Sequence, residues 1–225
     1  MKENGSVRIC TYNILHGAMT DGNEALIGYA LRDVGADIVG LQEVDVGTRR
    51  VGGKDVLRII ADAGKYPYFA FCRAIDLGGG EYGTAVLSRY PIRTFTVTPL
   101  PSDGVEGRSL GHAVIELGER TLDFFNTHIA YEGPAEREAQ LARISEQTQD
   151  CAQYVMTGDF NTEDLCELAI FRGNETINPR AFVTYYPTGV AIDHILGPSG
   201  TRVEGVQMPT WKYSDHYPLL ADVYL

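Results

Sequence analysis

No apolar run in the sequence approaches the ~20 residues that a membrane-crossing helix requires, which excludes a transmembrane helix. The opening residues Met1-Lys2-Glu3-Asn4-Gly5 hold no apolar signal core, and a strand-forming run begins almost at once. A cytoplasmic location is the expectation. Cysteines are few. Cys10, Cys72, Cys151 and Cys166 form no CxxC pair and no Cys/His cluster, so buried free thiols in a reducing compartment are expected. Basic residues are in deficit, with Lys+Arg 19 against Asp+Glu 30 and a net charge of -11. A broad basic face for sequence-blind duplex binding is therefore not expected, although a bound cation can still draw an anion to an acidic protein. Linkers, biased tracts and short-period repeats are also missing, so residues 1–225 read as one globular domain with a sizeable core.

What is present is mainly strand. Val7 to Ile14, Asp37 to Val44, Tyr66 to Arg73, Tyr82 to Ser88, Ile92 to Thr98, Gly111 to Leu117 and Thr121 to Ile129 carry the β-branched and apolar patterns of strands. The last two read as a hairpin across Gly118-Glu119, and Pro99 to Leu110 reads as a loop. Helical spacing appears after Asn23, read as an N-cap, and from Asp55 and Pro134, with a short helix near Asp164 to Phe171. Three further strands, Ala191 to Leu196, Arg202 to Met208 and Leu219 to Tyr224, close the chain. Strands with helices between only some of them suit a layered α/β sandwich, not strict βαβ alternation.

One stretch organises the rest: Tyr154-Val155-Met156-Thr157-Gly158-Asp159-Phe160-Asn161. It reads as a buried strand, a glycine turn, and a carboxylate and a carboxamide on alternate positions that face one spot. Asn13, Glu43, His128 and Asp193 likewise read as lying at the C-terminal ends of apolar strands, and Asp215-His216 lie just before one. Carboxylates there are costly unless they pair with each other or with a metal.

Thr11-Tyr12-Asn13-Ile14, Leu41-Gln42-Glu43-Val44, Tyr82-Gly83 with Leu87-Ser88-Arg89-Tyr90-Pro91, Asn126-Thr127-His128, Gly158-Asp159-Phe160-Asn161, Ile192-Asp193-His194-Ile195-Leu196 and Ser214-Asp215-His216-Tyr217-Pro218 follow one another along the chain. Together, in this order, they resemble the endonuclease/exonuclease/phosphatase superfamily. The resemblance implies an α/β, DNase I-like, four-layer sandwich: two facing, mainly antiparallel β-sheets flanked by helices. It also implies hydrolysis of a phosphoester with a divalent metal, Mg²⁺ or Mn²⁺. Carried over by position, Asn13, Glu43 and Asp215 are the expected metal ligands. Asp159 orients or deprotonates the attacking water, Asn161 and His128 contact the phosphate, and His216 pairs with Asp193. Asp159 and His216 both stay open as the base.

Further candidates are less specific. His16 resembles the Asn-Ile-x-His-Gly form of some smaller members and is a candidate phosphate contact, as is Arg108 through its fork of donors. Tyr82 is a candidate partner of an active-site carboxylate. Arg49 and Arg50 read as solvated charge, and His194 as packing, since it points away from Asp193. Short loops and the absence of a basic, aromatic-laced stripe favour a phosphodiesterase or phosphatase acting on a small molecule or lipid headgroup. A nuclease of the same superfamily is the alternative, and an inactive binding module a more remote one.

Overall fold

The structure is a computed structural model that describes residues 5–178 and 180–225. The expectation drawn from the first four residues lies outside them. The chain runs through β1 (Ser6–Asn13), α1 (Ala25–Asp33), β2 (Ile38–Val46), α2 (Val56–Gly64), β3 (Tyr68–Leu77), β4 (Gly80–Ser88), β5 (Ile92–Leu100), β6 (Arg108–Leu117) and β7 (Arg120–His128). It continues with α3 (Pro134–Thr148), β8 (Tyr154–Asp159), β9 (Asn174–Thr176), β10 (Asp193–Pro198), β11 (Val203–Gln207) and β12 (Leu219–Tyr224). The described strands form two six-stranded sheets, in the orders β11-β12-β1-β2-β4-β3 and β5-β6-β7-β8-β10-β9. Each is antiparallel except for one pair at its centre, β1 with β2 and β7 with β8. The expected sandwich is the observed one.

Four layers follow from where apolar side chains go. Val7, Ile9, Ile38, Phe124, Val155 and Ile195 fill the space between the sheets. On the outer face of the first sheet, Ile27, Leu31, Val56, Leu57 and Ile60 of α1 and α2 cover Tyr12, Val39, Leu41 and Leu87. Leu141 and Ile144 of α3 cover Phe125, Met156 and Leu196 on the second. Helix ends have local causes. Asp55 caps α2 by accepting from Arg58 N at 2.9 Å, and Pro134 opens α3 where no N–H is needed.

A polar rivet joins the sheets within this apolar filling. Asn126 Oδ1 accepts from Gln42 Nε2 (2.7 Å) and Thr157 Oγ1 (3.0 Å), and Asn126 Nδ2 donates to Leu41 O and Ala85 O. The rivet needs Gly40, because a Cβ there would collide with Thr157 Oγ1 and Asn126 Oδ1. Gly40→Ala is expected to lower stability by about 1–3 kcal/mol in urea unfolding, through overpacking. An unchanged midpoint would show that the sheets have room there.

Several sequence expectations are corrected. The N-cap of α1 is Glu24, not Asn23, and it makes no side-chain cap bond; its carboxylate instead takes Lys54 Nζ at 2.9 Å. Residues Glu167–Ile170 form only a 3₁₀ turn, and β9 is a polar edge strand too short to show a period. Arg108 is not in a loop. It opens β6, because β5 runs on to Leu100 and, as a sheet edge, tolerates Pro99. The cysteines are free, but only Cys10 and Cys72 are buried; Cys151 is half-buried and Cys166 exposed.

Candidate active site

The parallel pairs explain why the polar residues meet. Two parallel neighbours end at the same rim. In the first sheet this sets Asn13 beside Gln42, and in the second His128 beside Asp159. Asp193 joins them from the other direction. It begins β10 instead of ending a strand, and because β10 runs antiparallel to β8, its first residue faces the last of β8. Glu43 needs one further device. Between Leu41 and Val44 the register of β2 against β4 slips by one residue, and Glu43 takes φ 54°. This bulge breaks the alternation and re-aims the carboxylate to the rim. Asn161, also left-handed at φ 48°, folds back so that its N–H donates to Asp159 Oδ1 at 3.0 Å.

The groups make a connected network. Asn13 Nδ2 donates to Glu43 Oε1 (3.1 Å) and to Asp159 Oδ2 (3.0 Å), tying the sheets' two carboxylates together. His216 Nδ1 donates to Asp193 Oδ2 at 2.7 Å, and its Nε2 lies 3.7 Å from Asp159 Oδ2. His128 Nε2 lies 3.6 Å from the same oxygen. Ser214 anchors the last loop by donating to Asn13 O at 2.7 Å, and it accepts from His216 N, which fixes Asp215 and His216 beside β1. Asp159, Asp193 and His216 bring ligand-type atoms within 4.8 Å of one another, and His216 is hydrogen-bonded to Asp193.

The electrostatics divide these groups. Burial alone would lower His216, but Asp193, with Asp159 and Asp215 behind it, raises it to about 10, so it stays an imidazolium at neutral pH. Burial and the Asp193 charge push Asp159 up to about 7, against the pull of His216 and the Asn13 bond. Burial also pushes Glu43 up, yet His16, the neighbouring His128, Asn13 and the His216 charge outweigh it and hold the carboxyl at about 2. His16 Nδ1 acts there across 3.9 Å, beyond hydrogen-bond reach. Burial and Arg108 push His128 well below the usual imidazole range, so it stays neutral at neutral pH.

Arg108 always donates, so His128 Nδ1, 3.0 Å from its Nη1, must accept, and Nε2 carries the proton. Asn161 Nδ2 lies 3.1 Å from that Nε2 and is itself committed as a donor to Ile129 O. Two donor nitrogens therefore lie 3.1 Å apart with no acceptor between them, a pairing that an anionic oxygen accepting from both would relieve.

Asn13, Glu43, His128, Asp159, Asn161, Asp193 and His216 are thus linked by the contacts above. Asp215 flanks them through Ser214 and lies within electrostatic range of His216. His16 is at the edge of Glu43. Arg108 is buried behind His128 and also pairs with Glu106 at 2.9 Å. Tyr82 packs beside Arg108, in a small cavity that His128 also lines. Arg50, read as solvated, instead grips the fully buried Asp45 with two 2.7 Å bonds. His194 packs on Phe160, as expected. Two contributors escaped the sequence reading. Ser214 was quoted only as part of its motif, and Tyr185, whose ring lies 4.8 Å from that of His216, sits in no motif at all.

This rim can be set beside known proteins. The chain is 30% identical over 250 residues to the uncharacterized protein YbhP of Escherichia coli (strain K12), covering 98% of this chain and 97% of that one. Its fold is similar to that of an endonuclease/exonuclease/phosphatase from Beutenbergia cavernae (TM-score 0.82, 21% identity, 98% of this chain and 72% of that one). It is also similar to the mannosyl-6-phosphatase Bt3783 of Bacteroides thetaiotaomicron (TM-score 0.73, 18% identity, 98% and 100%). The sequence profile of the Endonuclease/Exonuclease/phosphatase family matches residues 10–216, a span that opens within β1 and closes on His216 itself. A match that contains every side chain of this rim places the chain in the Endonuclease/Exonuclease/phosphatase family.

Proposed function

We propose that the chain is a divalent-metal-dependent hydrolase of phosphoesters, a phosphodiesterase or phosphatase on a small or lipid-like substrate, working by in-line attack of water. The observation that carries this reading is the single Asn13 amide that touches both Glu43 and Asp159, one from each sheet. The donor set suits a hard cation: Glu43 is ionised well below neutral pH, its side chain is 21% exposed at the rim, and Asp215 lies within electrostatic range of His216 in the same network. Glu43 and Asp215 would hold the ion, with Asn13 keeping the Glu43 carboxylate in place. The chemistry the ion supplies is polarisation of a phosphoryl oxygen and compensation of phosphate charge.

The remaining roles belong to the chain's own groups. Asp159, poised near neutrality, orients the water or takes its proton. His216, charged and locked by Asp193, offers Nε2–H to the oxygens that gain charge. His128 Nε2–H and Asn161 Nδ2–H hold another phosphoryl oxygen, with Arg108 fixing the His128 tautomer.

Turnover tests the reading. The folded protein is assayed on inositol phosphates, sugar phosphates, sphingomyelin-type lipids, RNA, single-stranded DNA and abasic duplex, each with Mg²⁺, Mn²⁺ or chelator. Cleavage of a small or headgroup ester that chelator abolishes is the expected result. Cleavage of DNA above all others would make the protein a nuclease, and folded protein inert on every ester would make it a binding module.

A further inference from the structure

The outer face of the second sheet carries a side-chain cluster that the catalytic rim does not use. His112 on β6 pairs with Phe125 in the ladder, and Asp123 on β7 pairs with Val114. His112 and Asp123 are therefore diagonal neighbours on one face, and His112 Nε2 meets Asp123 Oδ1 at 2.7 Å. Cys151, in the connection between α3 and β8, brings its thiol to the pair. A ring nitrogen of His112, a carboxylate oxygen of Asp123 and Cys151 Sγ all lie within 4.8 Å of one another. The three come from separate elements, so nothing in the sequence spacing announces them. Asp123 precedes His128 by five positions on β7, which at ~3.3 Å per residue puts the cluster about 16 Å from the catalytic end of that strand.

The surroundings hold these groups in place. The His112 ring stacks on Phe125, with centroids 4.2 Å apart and 13° between the planes, and Tyr154 meets Phe125 edge-on at 5.4 Å. Cys151 N donates to Thr148 O at 3.0 Å, which ties the thiol-bearing connection to the end of α3. Ligand atoms around a tetrahedral zinc stand roughly 3.2–3.6 Å apart, so small side-chain rotations bring all three onto one ion. Access is available: His112 and Asp123 are 26% and 31% exposed, and a cleft of about 520 Å³ lined by Thr148, Gln149, Cys151 and Tyr154 opens beside the thiol. The donor types choose the ion. The Glu43 and Asp215 carboxylates of the rim suit a hard ion, whereas one sulfur, one nitrogen and one oxygen suit a borderline-soft one such as Zn²⁺. Burial, and then Asp123 and Asp150, push the Cys151 thiol up, and a dication satisfies those same two carboxylates. As the Zn–S bond forms, the thiol proton leaves to solvent. Thiolate and carboxylate then balance the ion's charge, with a neutral imidazole as the third ligand.

We propose that His112, Asp123 and Cys151 form a zinc site distinct from the rim, which clips the α3–β8 connection to the outer face of the second sheet and leaves a fourth position for water. The proposal does not depend on the phosphoester reading.

Cobalt is the probe, because a thiolate bound to Co²⁺ gives a near-ultraviolet charge-transfer band that oxygen ligands do not give. The full chain is titrated with Co²⁺ in excess Mg²⁺, and then with Zn²⁺. One equivalent of Co²⁺ is expected to raise the band, and Zn²⁺ to abolish it. Cys151→Ser is expected to remove the band, and His112→Gln to weaken Co²⁺ binding about tenfold or more. Cys166→Ser, at an exposed cysteine outside the cluster, and Glu43→Gln, at the rim, are expected to leave the band unchanged. Should a cluster variant melt early, wild type alone decides: Zn²⁺ is expected to slow alkylation of Cys151 about tenfold or more, read by peptide mass spectrometry, while Cys166 stays reactive. The site is overturned by a wild type without the band, by a band that survives in Cys151→Ser or vanishes in Glu43→Gln, by unaltered affinity in His112→Gln, or by Cys151 left unprotected.

Discussion

Replacing His216 with alanine is expected to lower kcat about a thousandfold while changing KM little, since a positioned acid or charge stabiliser contributes on the order of 10²–10⁴. Burial works against charging this imidazole, and Asp193 at 2.7 Å overcomes it. The sign of the pH effect follows. With the charged form working as proposed, activity is expected to persist through neutral pH and to fall as pH rises through about 10. In Asp193→Asn the largest influence raising His216 is gone, and the alkaline limb of the kcat profile moves down by about a unit or more, toward the ordinary imidazole value. The same raised value stabilises the fold. Its contribution is complete below the ordinary imidazole pKa and disappears as pH climbs past about 10. A limb in the same place in wild type and Asp193→Asn would show that another group sets it.

Glu43→Gln is the second large effect. The amide keeps the shape and most of the packing but removes the charge held down to about 2. Activity at fixed Mg²⁺ is expected to fall roughly 10²–10³-fold, with part of the loss recovered as Mg²⁺ rises, because a weakened site still fills at high concentration. Titration calorimetry with Mg²⁺ or Mn²⁺ checks this without turnover. Unchanged metal affinity in Glu43→Gln would remove Glu43 from the ion's shell. Asp45, only two residues on, is a natural control: it is wholly buried and spent on Arg50 and Thr48, so its loss acts on stability and not on metal affinity.

The layered architecture was readable because strand patterns and glycine or proline breaks are local signals. The rim was readable for the same reason: Asn13, His128 and Asp159 each end a strand whose direction the pattern reveals. What stayed hidden depends on pairing. Asp193 looked like another strand end, and only the antiparallel register with β8 shows that it is a beginning placed at the same rim. The bulge at Glu43 leaves no composition signal, since neither neighbour is glycine. Arg108 gave no sign that it would be buried and aimed at His128, because its partner lies 20 residues away on the adjacent strand. Arg50 looked solvated because Asp45, which it neutralises, lies just past the expected strand end at Val44, with nothing in the sequence to show that it is buried.

Crystals grown or soaked with Mn²⁺ and measured for anomalous scattering decide whether both sheets contribute to one cation and phosphate centre. A single strong peak bonded to a Glu43 carboxylate oxygen with Asp215 beside it is expected, with an added phosphate reaching His128, Asn161 and His216. A peak elsewhere, or Glu43 and Asp215 set too far apart to share an ion, would contradict it.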